Sequence, residues 1–239
     1  RTRTTTEQDL PRLRERRRGD AALSSRAPWP RLGPATVSAV ITPDDVLEFW
    51  FGWLFEDGSV SEETSARWWT KDPAFDASIR ERFGEVLEAA SRGELDAWKE
   101  TPGGIVALVI VLDQLSRNAY RDTPRAFAND ARALALAEAA DARGDFDTLP
   151  PMQAYFLAMP FMHAESLEAQ EKCVALFRRL AARAASEKVK KMLEAGADFA
   201  ERHRVIVERF GRFPHRNSIL GRQSTPEELA FLELPGSSF

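Results

Sequence analysis

The chain has 239 residues, of which 44% are hydrophobic and 29% charged, with 13 Gly, 14 Pro, one Cys and a net charge of −4. That is ordinary globular composition, and it excludes collagen-like, disulfide-stapled and wholly disordered chains. The longest uninterrupted apolar run, Ile105 to Leu112, is far short of the ~20 residues a membrane-spanning helix needs, and the lone Cys173 offers neither an internal bridge nor a CxxC pair, as expected of a cytoplasmic protein.

The charge is unevenly spread. Residues 1–36 hold nine Arg against Glu7, Asp9, Glu15 and Asp20, a net of +5, which leaves −9 for residues 37–239. With Arg16-Arg17-Arg18, Pro28, Pro30 and Pro34 and almost no aliphatic periodicity, this head cannot offset the entropy of ordering itself and reads as a disordered basic tail. A nucleic-acid-binding arm is disfavoured by its interspersed acids. The excess of Arg over Lys suggests GC-rich codons, and we expect translation to begin near Val37.

From Thr42 onward a short polar residue followed by Pro recurs, at Thr42-Pro43, Asp72-Pro73, Thr101-Pro102, Thr123-Pro124 and Thr225-Pro226. Each pair reads as an N-cap and N1 proline, and Thr225 with Glu228 completes a capping box. Behind the caps the apolar spacing is helical, as in Phe75, Ile79, Phe83 and Leu87, and period-two alternation is hard to find. The chain is predicted to be all-α, a single domain over 37–239. Its helices are expected at 43–55, 73–91, 102–118, 124–143, 151–184 with a break or kink near Pro160, 187–210 and 226–233, with Gly93, Gly144 and Gly211 at helix ends. Helix 102–118, apolar nearly all round in its first half, should be the buried centre.

Three polar constellations stand out. At the end of the central helix Asp113 and Arg117, and likewise Gln114 and Asn118, are spaced i, i+4. They read either as a structural ion pair that ends the helix or as one wall of a polar pocket. In the second, Pro160 is expected to break its helix and place His163 and Glu165 in the first turn of the next. Two side chains at i and i+2 diverge on a helix, so no metal site is assigned, and His163 reads as a structural histidine or a general acid/base. The third runs from Arg202 to Arg222, with six Arg, no Lys and two His. His203 shares an apolar stripe with Phe199, Ile206 and Phe210 and reads as a packed core residue. Beyond Gly211 a loop carries Arg212, His215, Arg216 and Asn217, with Arg209 before it and Arg222 after it. These arginines read as salt bridges to the acidic body or as an anion site; nucleic acid is disfavoured by the −9 body. Cys173 reads as core, and Trp50, Trp53, Trp68, Trp69 and Trp98 as packing or the mouth of an aromatic pocket.

Five stretches carry a resemblance: Asp45-Val46-Leu47-Glu48-Phe49-Trp50-Phe51; Leu112-Asp113-Gln114 with Arg117-Asn118; Phe127-Ala128-Asn129-Asp130; His163-Ala164-Glu165 with Gln170; and Arg209 to Asn217 with Leu220-Gly221-Arg222. Together they resemble the bacterial family catalogued as domain of unknown function 924, over Thr42 to Phe239. The resemblance implies an all-helical fold of the tetratricopeptide-like superfamily, a superhelix or bundle, and no established activity. Ser116 departs from it where Pro is usual, and Ala119 where a larger aliphatic is usual. No 34-residue repeat signature is visible.

The expectation is a cofactor-independent cytoplasmic protein whose three constellations converge on one cleft. There Asp113, Gln114, Arg117, Asn118, Glu165, Arg209, Arg212, Arg216, Asn217 and Arg222 would bind a small carboxylate- or phosphate-bearing molecule, with His163 or His215 as acid/base. A non-catalytic module binding a peptide or protein partner is the alternative, and nucleic-acid binding the third.

Overall fold

The computed structural model describes residues 40–237, which are helical with no strand among them. The expectations for residues 1–36, including a start near Val37, fall outside the described residues.

The cap signals do what their chemistry suggests. Helix α1 (Pro43–Phe51) opens with Thr42, whose side chain accepts from the Asp45 amide while Asp45 reaches back to the Thr42 amide. After α2 (Glu62–Trp69), helix α3 (Pro73–Arg92) is capped by Asp72, and α4 (Pro102–Val109) by Thr101. Such a cap contributes about 1 kcal/mol. The helix begun by α4 continues through a π-helical segment, Ile110–Leu115, into α5 (Ser116–Ala119). Then come α6 (Asp130–Arg143), α7 (Pro151–His163), α8 (Leu167–Ala182), α9 (Glu187–Phe210) and α10 (Pro226–Leu232), whose capping box pairs Thr225 with Glu228. Gly93, Gly144 and Gly211 take the left-handed conformation that ends α3, α6 and α9.

Several boundaries differ from those expected, each for a local reason. Gly52 turns out of helix at φ +59 and ends α1 at Phe51. Helix α2 was not anticipated: none of its residues is fully buried, so it has no apolar stripe to read, and Ser61 starts it by capping the Thr64 amide. The stretch 124–143 is a 3-10 turn, Pro124–Phe127, followed by α6 proper. Pro160 does not break its helix. It lies inside α7, and the interruption falls at 164–166, where Gln170 on α8 donates its side-chain amide to the carbonyls of Phe161, Met162 and Ala164 and takes up acceptors that a helix end leaves unpaired. His163 therefore ends a helix, and Glu165 stands in the connection.

The run Ile105 to Leu112 is at most 1% exposed and forms the centre of the main apolar cluster. Helices α1, α3, α6 and α7 surround it. Trp50, Phe51, Trp68 and Phe156 pack edge-on and stacked at one end, so Trp50 is core whereas Trp53, 81% exposed, is not. Cys173 is buried with its thiol toward the Ala158 carbonyl, and burial pushes its pKa up. Helices α8 and α9 form an antiparallel hairpin behind α7, and at the end of α9 a small separate cluster of Ile206, Val207 and Phe213, joined by Phe210 and Phe231, holds the C-terminal segment. No helix among the described residues is long and apolar enough to cross a membrane.

Gly196 sets the closeness of the α7, α8 and α9 packing. A Cβ there would lie 2.7 Å from the Phe177 ring and 2.8 Å from that of Tyr155. Both rings are buried and cannot swing aside, so Gly196→Ala should destabilise the protein by about 1–3 kcal/mol, measured as a lower urea midpoint; an unchanged midpoint would show that the hairpin yields.

Candidate functional site

The π-helical segment brings Asp113 and Gln114 together behind His163. A π turn is wider than an α turn and is frequent at functional positions. Asp113 is completely buried and is met from three sides. Gln114 Nε2 donates to it at 2.5 Å, His163 Nδ1 lies 2.7 Å from its Oδ1, and Arg117 Nη1 is 3.2 Å away. Burial raises the Asp113 carboxyl, but Arg117, His163 and Gln114 outweigh burial and hold it well below the usual carboxylate range. His163 moves the other way: burial and the Arg117 charge lower it, against the pull of Asp113. The pair is thus an ionised carboxylate and a neutral imidazole. An acceptor at Nδ1 fixes the tautomer, with the proton on Nδ1 and the lone pair on Nε2.

Asp130 joins the first and third constellations. It takes Arg117 bidentately, at 2.9 and 3.0 Å, and Arg216 Nη1 at 3.1 Å. Phe127 stacks between these two guanidinium groups, 5.6 Å from that of Arg117 and 4.7 Å from that of Arg216, and Phe213 covers Arg216 at 4.5 Å. Arg216 is 5% exposed, and burial together with the Arg117 charge pushes it down to about 10. Its Nη1 is used on Asp130, whereas its buried Nε has no hydrogen-bond partner and none is found for Nη2 among the described residues.

Asp130, His163, Glu165 and Arg216 line one cleft of about 460 Å³, together with Phe127, Leu134 and Leu220. The structure thus brings parts of all three constellations together, and Asp113 and Arg117 support the cleft from behind. Other predicted residues lie elsewhere. Asn118 turns away to donate to Asp76, which Arg121 also grips. Arg209 pairs with Glu227, and Arg212 with Glu228. Asn217 donates to Ser224 and Glu228, and accepts from Arg222. Arg222 holds Glu165 bidentately at 2.6 and 2.8 Å, and Glu165 also accepts from the Phe213 amide. His215 packs against the Phe213 ring rather than lining the cleft. Sequence reasoning missed Asp130 and Phe127 as site residues. Their signal was the Asn129-Asp130 pair, a polar interruption just where the expected helix in fact begins. Among the described residues no group of three or more His, Cys, Asp or Glu is placed to hold a metal ion.

Two further histidines give the C-terminal segment a pH dependence. Burial pushes His203 down to about 3, opposed by the Phe199 carbonyl to which its Nδ1 donates at 2.9 Å; burial and the adjacent Arg216 push His215 down to about 4. Both are neutral when folded and protonate near 6.5 when unfolded, so the unfolded chain binds more protons below that pH. Stability should fall as pH drops from about 6.5 towards 4, by about 1.4 kcal/mol per pH unit for His203. Urea melts at pH 7 and pH 5 should show this loss, reduced in His203→Gln by roughly one proton's worth; an equal loss in the variant would remove His203 from the account.

Comparison with known proteins agrees with this architecture. The family model described as bacterial protein of unknown function (DUF924) matches residues 46–236. A solved structure of a protein of unknown function from Agrobacterium tumefaciens is similar at 37% identity and a TM-score of 0.65, covering 80% of this chain and 96% of that one. No curated protein matches. The chain belongs to the bacterial DUF924 family.

Proposed function

We propose that the protein binds a small anionic molecule in the Arg216/His163 cleft and acts on it as a metal-independent acid/base enzyme. The observation that carries this reading is the pairing, on one cleft, of a neutral imidazole oriented by a buried carboxylate with a buried guanidinium whose Nε lacks a partner. A buried donor left unpaired costs about 1–3 kcal/mol, and the Nε–Nη2 edge is the one that grips a carboxylate or phosphate bidentately. His163 Nε2, with Asp113 behind it, is arranged to take a proton from a bound substrate or water and return it. Arg117, which touches Asp113 and Asp130 but does not line the cleft, is a positioning residue, whereas Asp130 both lines the cleft and holds Arg216.

A cytoplasmic location fits this reading, and the α7, α8 and α9 stack supports assigning the fold to the tetratricopeptide-like superfamily. The second reading, a module for a peptide or protein partner, is favoured by the exposed Trp53, Phe55 and Trp69. Nucleic acid is disfavoured because Arg204, Arg209, Arg212 and Arg222 each already hold a carboxylate.

A thermal-shift screen against carboxylates and phosphates should find a ligand that raises Tm by roughly 5–10 °C at 100 times its Kd. Arg216→Lys keeps the charge but loses the fork and should abolish most of that shift, whereas His163→Gln should keep binding and lose turnover. Binding that survives in Arg216→Lys would remove the guanidinium from the site. Trp53→Ala, which lies outside the cleft lining, should bind that ligand as wild type does; binding lost in Trp53→Ala but kept in Arg216→Lys would favour the second reading.

A further inference from the structure

The anion proposed above is either a carboxylate or a phosphate, and the cleft's own charges and walls distinguish them. Arg216 lines the cleft beside two carboxylates, Asp130 and Glu165. The neighbouring guanidinium groups have no spare capacity: Arg117 is committed to Asp130 and backbone carbonyls, and Arg222 is spent on Glu165, Asn217 and the Phe213 carbonyl. What the cleft offers an anion is therefore one guanidinium group, that of Arg216, flanked by the carboxylates of Asp130 and Glu165. A phosphate monoester carries about −1.5 to −2 at pH 7. It would meet Asp130 and Glu165 with a second charge that nothing neutralises, whereas a carboxylate carries a single charge and two oxygens at the spacing of one fork.

The remaining wall is apolar. Phe127, Leu134 and Leu220 line the cleft with Pro124 and Ala131, and a cavity of about 460 Å³ lies within the 300–1,000 Å³ typical of small-molecule sites. Acetate would leave most of that wall facing water. A ligand that covers it needs a hydrocarbon body of several carbons, each buried methylene adding to affinity.

Resting on the anion-binding reading, we infer that the cleft takes an apolar monocarboxylate, an aryl- or branched-alkyl-substituted acid, with its carboxylate on Arg216 and its body against Phe127, Leu134 and Leu220. Phosphate esters and short hydrophilic acids are excluded by charge and by lack of contact respectively.

The test is calorimetric titration of the full chain at pH 7.5 with phenylacetate, 4-methylpentanoate, acetate, phenyl phosphate and phenylacetamide. The expected result is binding of phenylacetate or 4-methylpentanoate at least about tenfold tighter than acetate, phenyl phosphate or the neutral amide. Leu134→Asn, at a half-buried position that tolerates a polar side chain, should weaken the apolar acids by about tenfold and leave acetate unchanged. Phenyl phosphate binding as tightly as phenylacetate would overturn the carboxylate assignment while leaving the anion site in place. Acetate matching phenylacetate would overturn the apolar wall. Binding of none of the five would overturn this inference together with the anion-binding reading on which it rests.

Discussion

A carboxylate taken wholly out of water must be surrounded by donors or give up its charge. Asp113 keeps its charge, and the arrangement around it follows from that requirement. It sits in the most apolar helix of the chain, directly after the fully buried run Ile105 to Leu112. Gln114 and Arg117 come from its own helix, and His163 from the end of α7. Arg117 cannot be satisfied by Asp113 alone, and its bidentate contact with Asp130 fixes the start of α6. Asp130 in turn receives Arg216 from the C-terminal segment. A single buried charge thus links the central helix, α6, α7 and the segment after α9, and the cleft is the space those elements leave between them.

That linkage explains the small separate apolar cluster at the C-terminus. Ile206, Val207 and Phe213 are too few to anchor the last thirty residues by burial alone. The segment is instead fastened by charge-assisted contacts: Glu165 accepting from the Phe213 amide and Arg222, Arg212 on Glu228, and Arg216 on Asp130. Such contacts orient side chains more sharply than apolar packing does. They also place Arg216 and Leu220 over a cleft whose other wall belongs to α6 and α7. Glu165, which the position of Pro160 suggested would lie in a helix's first turn, is freed for this role because the helix interruption falls after His163, where Gln170 stabilises it.

Much of the fold is legible in the sequence because its signals are local. A Thr or Asp before Pro can start a helix with no help from the rest of the chain, and a Gly at the end can stop one. Helix α2 escaped because it has no fully buried residue, with Trp68 packing only half-buried against the core, and the start of α6 escaped because Pro124 opens a 3-10 turn that mimics the start of a helix. At the cleft, His163, Glu165 and Arg216 stand out by residue type, since polar groups in apolar surroundings need an explanation. Phe127, Leu134 and Leu220 do not, because an apolar side chain that lines a cleft looks in sequence like one that fills a core. The late arginines mislead in the opposite direction: six basic residues suggest a basic surface, but the acids that hold them, Glu165, Glu227 and Glu228 among others, are distant or unremarkable in sequence. Asn118 shows the limit of spacing arguments, since the i, i+4 partner expected in Gln114 is replaced by Asp76 from α3.

The central claim is that burial and the Arg117 charge keep His163 neutral while buried, ionised Asp113 holds its proton on Nδ1 and leaves its lone pair on Nε2. Nitrogen-15 chemical shifts of the His163 ring at pH 7, assigned by comparison with His163→Gln, read that state directly. The account predicts a neutral ring with a protonated Nδ1 and an unprotonated Nε2, and loss of that tautomer preference in Asp113→Asn. A charged imidazolium at pH 7, or a neutral ring protonated at Nε2, would contradict it.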